Sequence, residues 1–225
     1  MTTLFITGID TDIGKSVACG ALAHSLLRSG HRLFTQKWVE TGTDRASQDL
    51  LTHRNIAQQN FNTSNIELHS PYCFKYPASP HLSAAMEESI IDCGYLIKQT
   101  RQLETECDHL IIEGAGGLCV PLNQNNLMVD LVAQLKLPIL LVTSARLGSI
   151  NHTILSLEIC EQRGIEVRAI IYNHFPNQEN AIFSNTRDYL QNYLASKIPR
   201  ALWLELAINS SEINLTEQEI EQLLD

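Results

Sequence analysis

The segment Gly8-Ile-Asp-Thr-Asp-Ile-Gly14-Lys15-Ser16 constrains this 225-residue chain more than any other. It follows the short apolar run Leu4 to Thr7 and precedes Val17, Ala21, Leu22 and Leu26, which are spaced as on one face of a helix. A strand that turns through glycines into a helix gathers backbone N–H groups at the helix start, and such a turn cradles phosphate. Lys15 can then reach the terminal phosphate oxygens while the Ser16 hydroxyl sits on Mg²⁺. Five residues separate the two glycines where four are common. The competing reading is a glycine turn with a solvated lysine. Gly-Lys-Ser placed directly after an N-terminal strand favours nucleoside triphosphate binding instead.

The same rhythm recurs down the chain. His109 to Glu113 runs into Gly114, Gly116 and Gly117; Pro138 to Thr143 runs into Arg146-Leu147-Gly148; Glu166 to Tyr172 runs into Asn173. Strands alternating with helices predict βαβ units, and continuous runs such as Ile139 to Val142 predict a mainly parallel sheet covered on both faces. Arg32 to Trp38 reads as a second strand and Ala201 to Leu206 as the last. Thr43 to Gln59, Ser83 to Thr105, Ala181 to Ala195 and Thr216 to Leu224 read as helices, and Asn60 to Pro80 as an irregular loop. No linker or repeat divides the chain, so residues 1–225 are expected to form one α/β domain with three layers, helices on either side of the sheet. In such sheets ligands collect at the carboxyl ends of the strands.

Charge narrows the ligand class. Lys and Arg number 16 against 25 Asp and Glu, a net charge of −9, and no basic stripe exists, which disfavours nucleic acid. The six cysteines form no C-x-x-C pair and read as reduced thiols. Neither a signal peptide nor a run of ~18 apolar residues is present, so a cytoplasmic protein without a membrane span is expected. The eight histidines show no pair at metal-ligand spacing on one helix.

Asp10 stands five positions before Lys15, where partition and septum-site ATPases carry an extra lysine, and no Asn-Lys-x-Asp guanine reader occurs. The phosphate loop, Gln36-Lys37, Glu113-Gly-Ala-Gly-Gly117 and Leu147-Gly-Ser-Ile-Asn-His152 together resemble the dethiobiotin synthetase family of P-loop NTPases. The likeness runs in order from about Leu4 to Asn173 and is poor in the last fifty residues. It implies a P-loop NTPase fold and a homodimer that joins CO₂ to the two amines of 7,8-diaminopelargonate using MgATP. A carbamate would form and attack the γ-phosphate, and the second amine would then displace phosphate from the resulting carbamic-phosphoric anhydride and close the cyclic urea.

Each step asks something of particular residues. Lys15, Ser16, Asp49 and Glu113 are the candidates for neutralising the phosphates and holding Mg²⁺, Asp49 on family position alone. Asp12, Ile13, Gly14 and Val17 complete the nucleotide loop, and Gly114, Ala115 and Gly116 let backbone approach the carbamate or triphosphate. Lys37 is the candidate cation for the carbamate, with Thr11 and Thr41 offering hydroxyls. Gly148, Ser149 and Asn151 precede a helix expected to begin near His152; in the family this segment reaches the carboxylate of substrate bound to the other subunit. Ser149 or Asn151 acting as a simple cap is the competing reading. Ser79-Pro80-His81 resembles another family segment near the substrate, with His81 expected to order a loop.

Asn173 is the candidate for the adenine edge, against the competing reading of a turn-forming Asn. Two departures from the family stand out. Trp38 follows Lys37 where proline is usual, which bears on the local backbone. Trp203-Leu-Glu-Leu-Ala207 replaces Leu-Gly-Glu-Ile-Pro, which predicts weaker contacts from Leu206 to Ile208 and a relaxed nucleotide preference. A nucleotide-switched interaction protein is the reading from another class, and the missing signature lysine argues against it. Corrinoid amide-forming enzymes carry an additional glutaminase domain for which this chain has no room, and the absence of a Gly-x-Ser-x-Gly elbow argues against a hydrolase.

Overall fold

A computed structural model describes residues 1–44, 46–59 and 65–225. Its main sheet has six parallel strands: β1 (Thr2–Gly8), β2 (Leu33–Lys37), β5 (His109–Glu113), β6 (Ile139–Ser144), β7 (Val167–Asn173) and β8 (Leu202–Leu206). Their order is β2-β5-β1-β6-β7-β8. All six residues of β6 and the Ala169–Asn173 part of β7 are buried, which explains why these strands read as unbroken apolar runs. Helices α1 (Lys15–Arg28), α2 (Gln48–Ala57), α5 (Cys93–Glu104), α6 (Met128–Leu135), α7 (Ser149–Arg163) and α8 (Asn180–Lys197) fill the connections. The three-layer α/β architecture expected from the sequence is present.

Topology decides where a ligand can sit. The chain leaves β1 toward β2 across β5, but leaves β5 toward β6 across β1. Connections therefore diverge around β1 and open a crevice at its carboxyl end, where the phosphate loop lies. The register Ile6 to Glu113 and Lys37 to Glu113 brings the ends of β1, β5 and β2 side by side.

Several boundaries differ from the sequence expectation. Thr43 to Gln59 is helical only over α2, because Ser47 caps the helix by accepting from Leu50 N at 3.0 Å. Ser83 to Thr105 is two helices, α4 (Pro80–Met86) and α5, since Asp92 starts the second by accepting from Gly94 N at 2.8 Å. The span Asn60 to Pro80 is not wholly irregular: it contains α3 (Ile66–His69) and β4 (Tyr72–Phe74). Residues 60–64 lie outside the described residues. β4 pairs in parallel with β3 (Val39–Thr41), a second two-stranded sheet that three-residue runs could not announce in the sequence. The terminal helix α9 (Glu217–Leu224) has the expected start, a capping box between Thr216 and Glu219.

Trp38 resolves the first departure from the family pattern. Its N–H donates to Glu113 O at 3.2 Å, a bond proline could not make. The fully buried indole packs on Phe5, centroids 4.9 Å apart, and its Nε1 lies 3.0 Å from Thr100 Oγ1 and 3.1 Å from Gln36 Oε1. The backbone thus stays in line and Lys37 keeps its place at the strand end.

Candidate active site

Backbone geometry shapes the phosphate loop and side chains brace it. Gly14 sits at φ 92, a left-handed conformation that starts α1, and a Cβ there would lie 2.3 Å from Asn173 Nδ2. Asn173 crosses from β7 to brace the loop: Nδ2 donates to Ile13 O at 3.0 Å, and Oδ1 accepts from Phe175 N at 3.1 Å. Lys15 is buried and its Nζ donates to Asp10 O at 2.9 Å. Burial and the nearby Lys37 charge lower its pKa.

Around this loop lies a cavity of about 620 Å³ lined by Thr11, Asp12, Gly14, Lys15, Ser16, Val17, Lys37, Thr41, Asp49, Glu113, Ala115, Gly116 and Asn173 among others. Nearly all the residues expected at the site from sequence therefore converge. Ile13 and Gly114 contribute through their carbonyls, to Asn173 and to Lys37.

The charged centre is compact. Ser16 Oγ donates to Asp49 Oδ1 at 2.6 Å and lies 3.1 Å from Glu113 Oε1. Lys37 Nζ donates to Asp49 Oδ2 at 2.7 Å, Glu113 Oε1 at 2.7 Å and Gly114 O at 3.0 Å. Burial by itself would raise the Glu113 pKa, but Lys37 and His53 hold it down to about 2. Burial likewise opposes the charge on Lys37, yet Glu113 and Asp49 overcome it and raise its pKa above the usual value. Asp49 has no local motif in the sequence; α2 delivers it here because Glu40 of β3 accepts from Gln48 N at 2.9 Å and Asp49 N at 3.2 Å, anchoring the first turn.

Two carboxylates and a hydroxyl converging on one point fit Mg²⁺, a hard cation that takes few protein ligands and fills its shell with water and phosphate oxygens. Among the described residues no group of three His, Cys, Asp or Glu forms a dedicated metal cage.

Gly148, Ser149 and Asn151 are not brought to this cavity. Their helix begins at Ser149 rather than near His152, and neither side chain caps it; Gly148 at φ 92 makes the turn. The capping alternative is thereby removed. Leu147 beside them is 93% exposed. Ser79 Oγ and His81 Nδ1 are 3.1 Å apart at the start of α4, a contact within the segment itself.

Sequence reading missed some walls of the site. Glu40, Phe175 and Asn209 line the cavity, and Leu206 to Ile208, which the sequence marked for weaker contacts, line it too despite the missing glycine and proline. His53 was also missed: its Nε2 lies 2.5 Å from Glu113 Oε2, on a fully buried ring. Its position four residues after Asp49, on the same face of α2, was the available signal.

A glycine loop joining the central strand of a parallel sheet to a helix, with a lysine, a serine and two carboxylates at its mouth, defines a P-loop nucleotide-binding protein. Solved structures agree on that fold. The signal recognition particle receptor FtsY of Elizabethkingia anophelis superposes with TM-score 0.53 at 14% identity, covering 100% of this chain and 65% of that one. A plasmid partition protein of Borrelia burgdorferi bound to AMPPNP superposes with TM-score 0.51 at 14% identity, covering 99% and 96%. Residues 2–202 match a family model described as AAA domain. The chain is 41% identical over 202 residues to the ATP-dependent dethiobiotin synthetase BioD 2 of Haemophilus ducreyi, covering 89% of this chain and 96% of that protein. It is 42% identical over 188 residues to the ATP-dependent dethiobiotin synthetase BioD of Chlorobaculum tepidum, covering 83% and 79%. The chain belongs to the ATP-dependent dethiobiotin synthetase family.

Proposed function

We propose that this chain is an ATP-dependent ligase that closes a cyclic urea from 7,8-diaminopelargonate and CO₂, giving dethiobiotin, ADP and phosphate in biotin biosynthesis. The observation that carries the reading is Lys37 held between Asp49 and Glu113 beside a phosphate loop, in a chain of this family. An anionic carbamate and a triphosphate repel each other, so the site must supply positive charge between them. Lys15, on the loop, would serve the β- and γ-phosphates, and Lys37, at the end of β2, the carbamate. Lys37 has all three donors engaged, so it reaches a carbamate by exchanging a carboxylate partner. Ser16, Asp49 and Glu113 are the residues that would hold Mg²⁺, which when bound neutralises phosphate charge. Thr11 and Thr41 contribute hydroxyls to carbamate and diamine.

The single domain of residues 1–225 works in this reading as a cytoplasmic homodimer. Among the described residues no helix is long and apolar enough to cross a membrane. Dimerisation would bring Gly148, Ser149 and Asn151 of one protomer to the substrate carboxylate in its partner's cavity, which accords with their not lining their own. Nucleic acid plays no part, in keeping with the net charge of −9. Adenine is read by the wall that includes Phe175 and Ile208, while Asn173 serves nucleotide binding by bracing the loop.

The test is phosphate release with MgATP and bicarbonate, with and without the diamine, alongside mass detection of the cyclic urea. Phosphate and urea appearing together only with the diamine support the ligase. Diamine-independent hydrolysis without urea would overturn it in favour of a nucleotide-switched interaction protein.

A further inference from the structure

We propose that His53 is the positioning residue of Glu113: one hydrogen bond from its imidazole fixes the carboxylate so that the opposite oxygen faces Ser16 and the metal. The inference rests on Glu113 being a magnesium ligand, as proposed above.

The geometry carries the argument. The His53 side chain is 0% exposed and the Glu113 side chain 1%. An ionised carboxylate only accepts, so the 2.5 Å contact requires the hydrogen to be on Nε2. Glu113 Oε2 is thereby engaged on the α2 side, leaving Oε1 toward Ser16 Oγ at 3.1 Å and Lys37 Nζ at 2.7 Å. His53 Nδ1 is buried and has no partner among the described residues. A buried nitrogen left unsatisfied is unfavourable, and an apolar side chain of similar size would avoid it. The contact with Glu113 is the one thing this ring does that leucine or methionine could not.

The scaffold around the ring serves the same purpose. Glu40 anchors the first turn of α2 through the N–H groups of Gln48 and Asp49. From that fixed start, Asp49 and His53 lie four residues apart on one helix face. One helix therefore presents a carboxylate oxygen to Ser16 and, a turn later, holds the second carboxylate in orientation. Groups that orient metal-ligating side chains commonly govern metal affinity without touching the metal. Freed from His53, Glu113 could turn both oxygens toward Lys37, which would compete with the metal.

The test titrates Mg²⁺ into the ADP-bound full chain by calorimetry, for the parent, His53→Met, His53→Gln and Glu113→Gln, with metal-free ADP binding measured beside it. His53→Met is expected to bind Mg²⁺ about 10- to 100-fold more weakly with metal-free ADP affinity unchanged, and His53→Gln, which keeps a donor, to recover most of the loss. Parental Mg²⁺ affinity in His53→Met alongside a loss in Glu113→Gln would overturn the inference and leave the metal site standing. Parental affinity in both would overturn the metal site itself. Should His53→Met fail to fold, nitrogen NMR of the parent decides. Hydrogen on Nε2, with a resonance that moves when Mg²⁺ joins the ADP complex, supports the proposal. Hydrogen on Nδ1 alone, or a resonance indifferent to Mg²⁺, overturns it.

Discussion

Lys37 Nζ and Glu113 Oε1 lie 2.7 Å apart, with the two side chains 4% and 1% exposed, at paired register positions on adjacent parallel strands. Strand register alone puts a cation and an anion at one sheet edge, and burial makes each depend on the other for its charge.

That dependence separates the two lysines. Lys37→Ala is expected to lower turnover by about 10²- to 10³-fold while ATP binding changes much less. Lys15→Ala is expected to lose nucleotide affinity and turnover together. Urea formation and nucleotide titration on both variants check this. Near-normal turnover in Lys37→Ala would remove that lysine from the carbamate.

Acid stability follows from the Glu113 pKa of about 2 against 4.5 for an ordinary glutamate. A carboxylate with a depressed folded pKa stabilises the fold above pH 4.5 and loses that contribution as pH falls toward 2. Glu113→Gln should therefore flatten the stability curve between those limits. Urea unfolding of parent and variant at pH 5, 4 and 3 measures it, and parallel curves would contradict the assignment.

Trp38→Pro restores the residue usual in the family and is expected to destabilise this chain by about 3–5 kcal/mol, the range for deleting a large buried aromatic. It removes the N–H donated to Glu113 O and empties the space against Phe5. Denaturant melts give the value. A loss below about 1 kcal/mol would mean the neighbouring side chains repack freely.

Asn173 tests where base selectivity lives. Its amide braces Ile13 O and Phe175 N, so Asn173→Ala should weaken ATP and GTP alike by loosening the phosphate loop. Paired dissociation constants check it. A loss confined to ATP would show that the amide reads the adenine edge.

A related competition measurement addresses the wall from Leu206 to Asn209. Other nucleoside triphosphates are expected to displace ATP at comparable concentrations, and strict ATP preference would contradict the relaxed selectivity.

The phosphate loop was legible because its function is written in local backbone: a strand, glycines, a lysine and a serine in nine consecutive residues. Glu113 was legible for a similar reason, as the acidic end of an apolar run before Gly-Ala-Gly-Gly. Asp49 was legible only through the family likeness and Glu40 not at all, since each looks like an ordinary polar residue until Glu40 is seen to anchor the first turn of α2. His53 hid because its one local signal, the spacing of four from Asp49, means nothing until Asp49 is placed, and its partner is sixty residues away.

Periodicity and turn chemistry act over a few residues, so the sequence by itself determined the strand and helix alternation, the parallel sheet and the phosphate-binding turn. Strand order, the small sheet of β3 and β4, and the meeting of Lys37, Asp49, His53 and Glu113 were decided only by the tertiary structure. Those contacts join residues up to 76 positions apart. Burial of the whole sheet and the loss of solvent around the charges select them, and no short window of the chain carries that information.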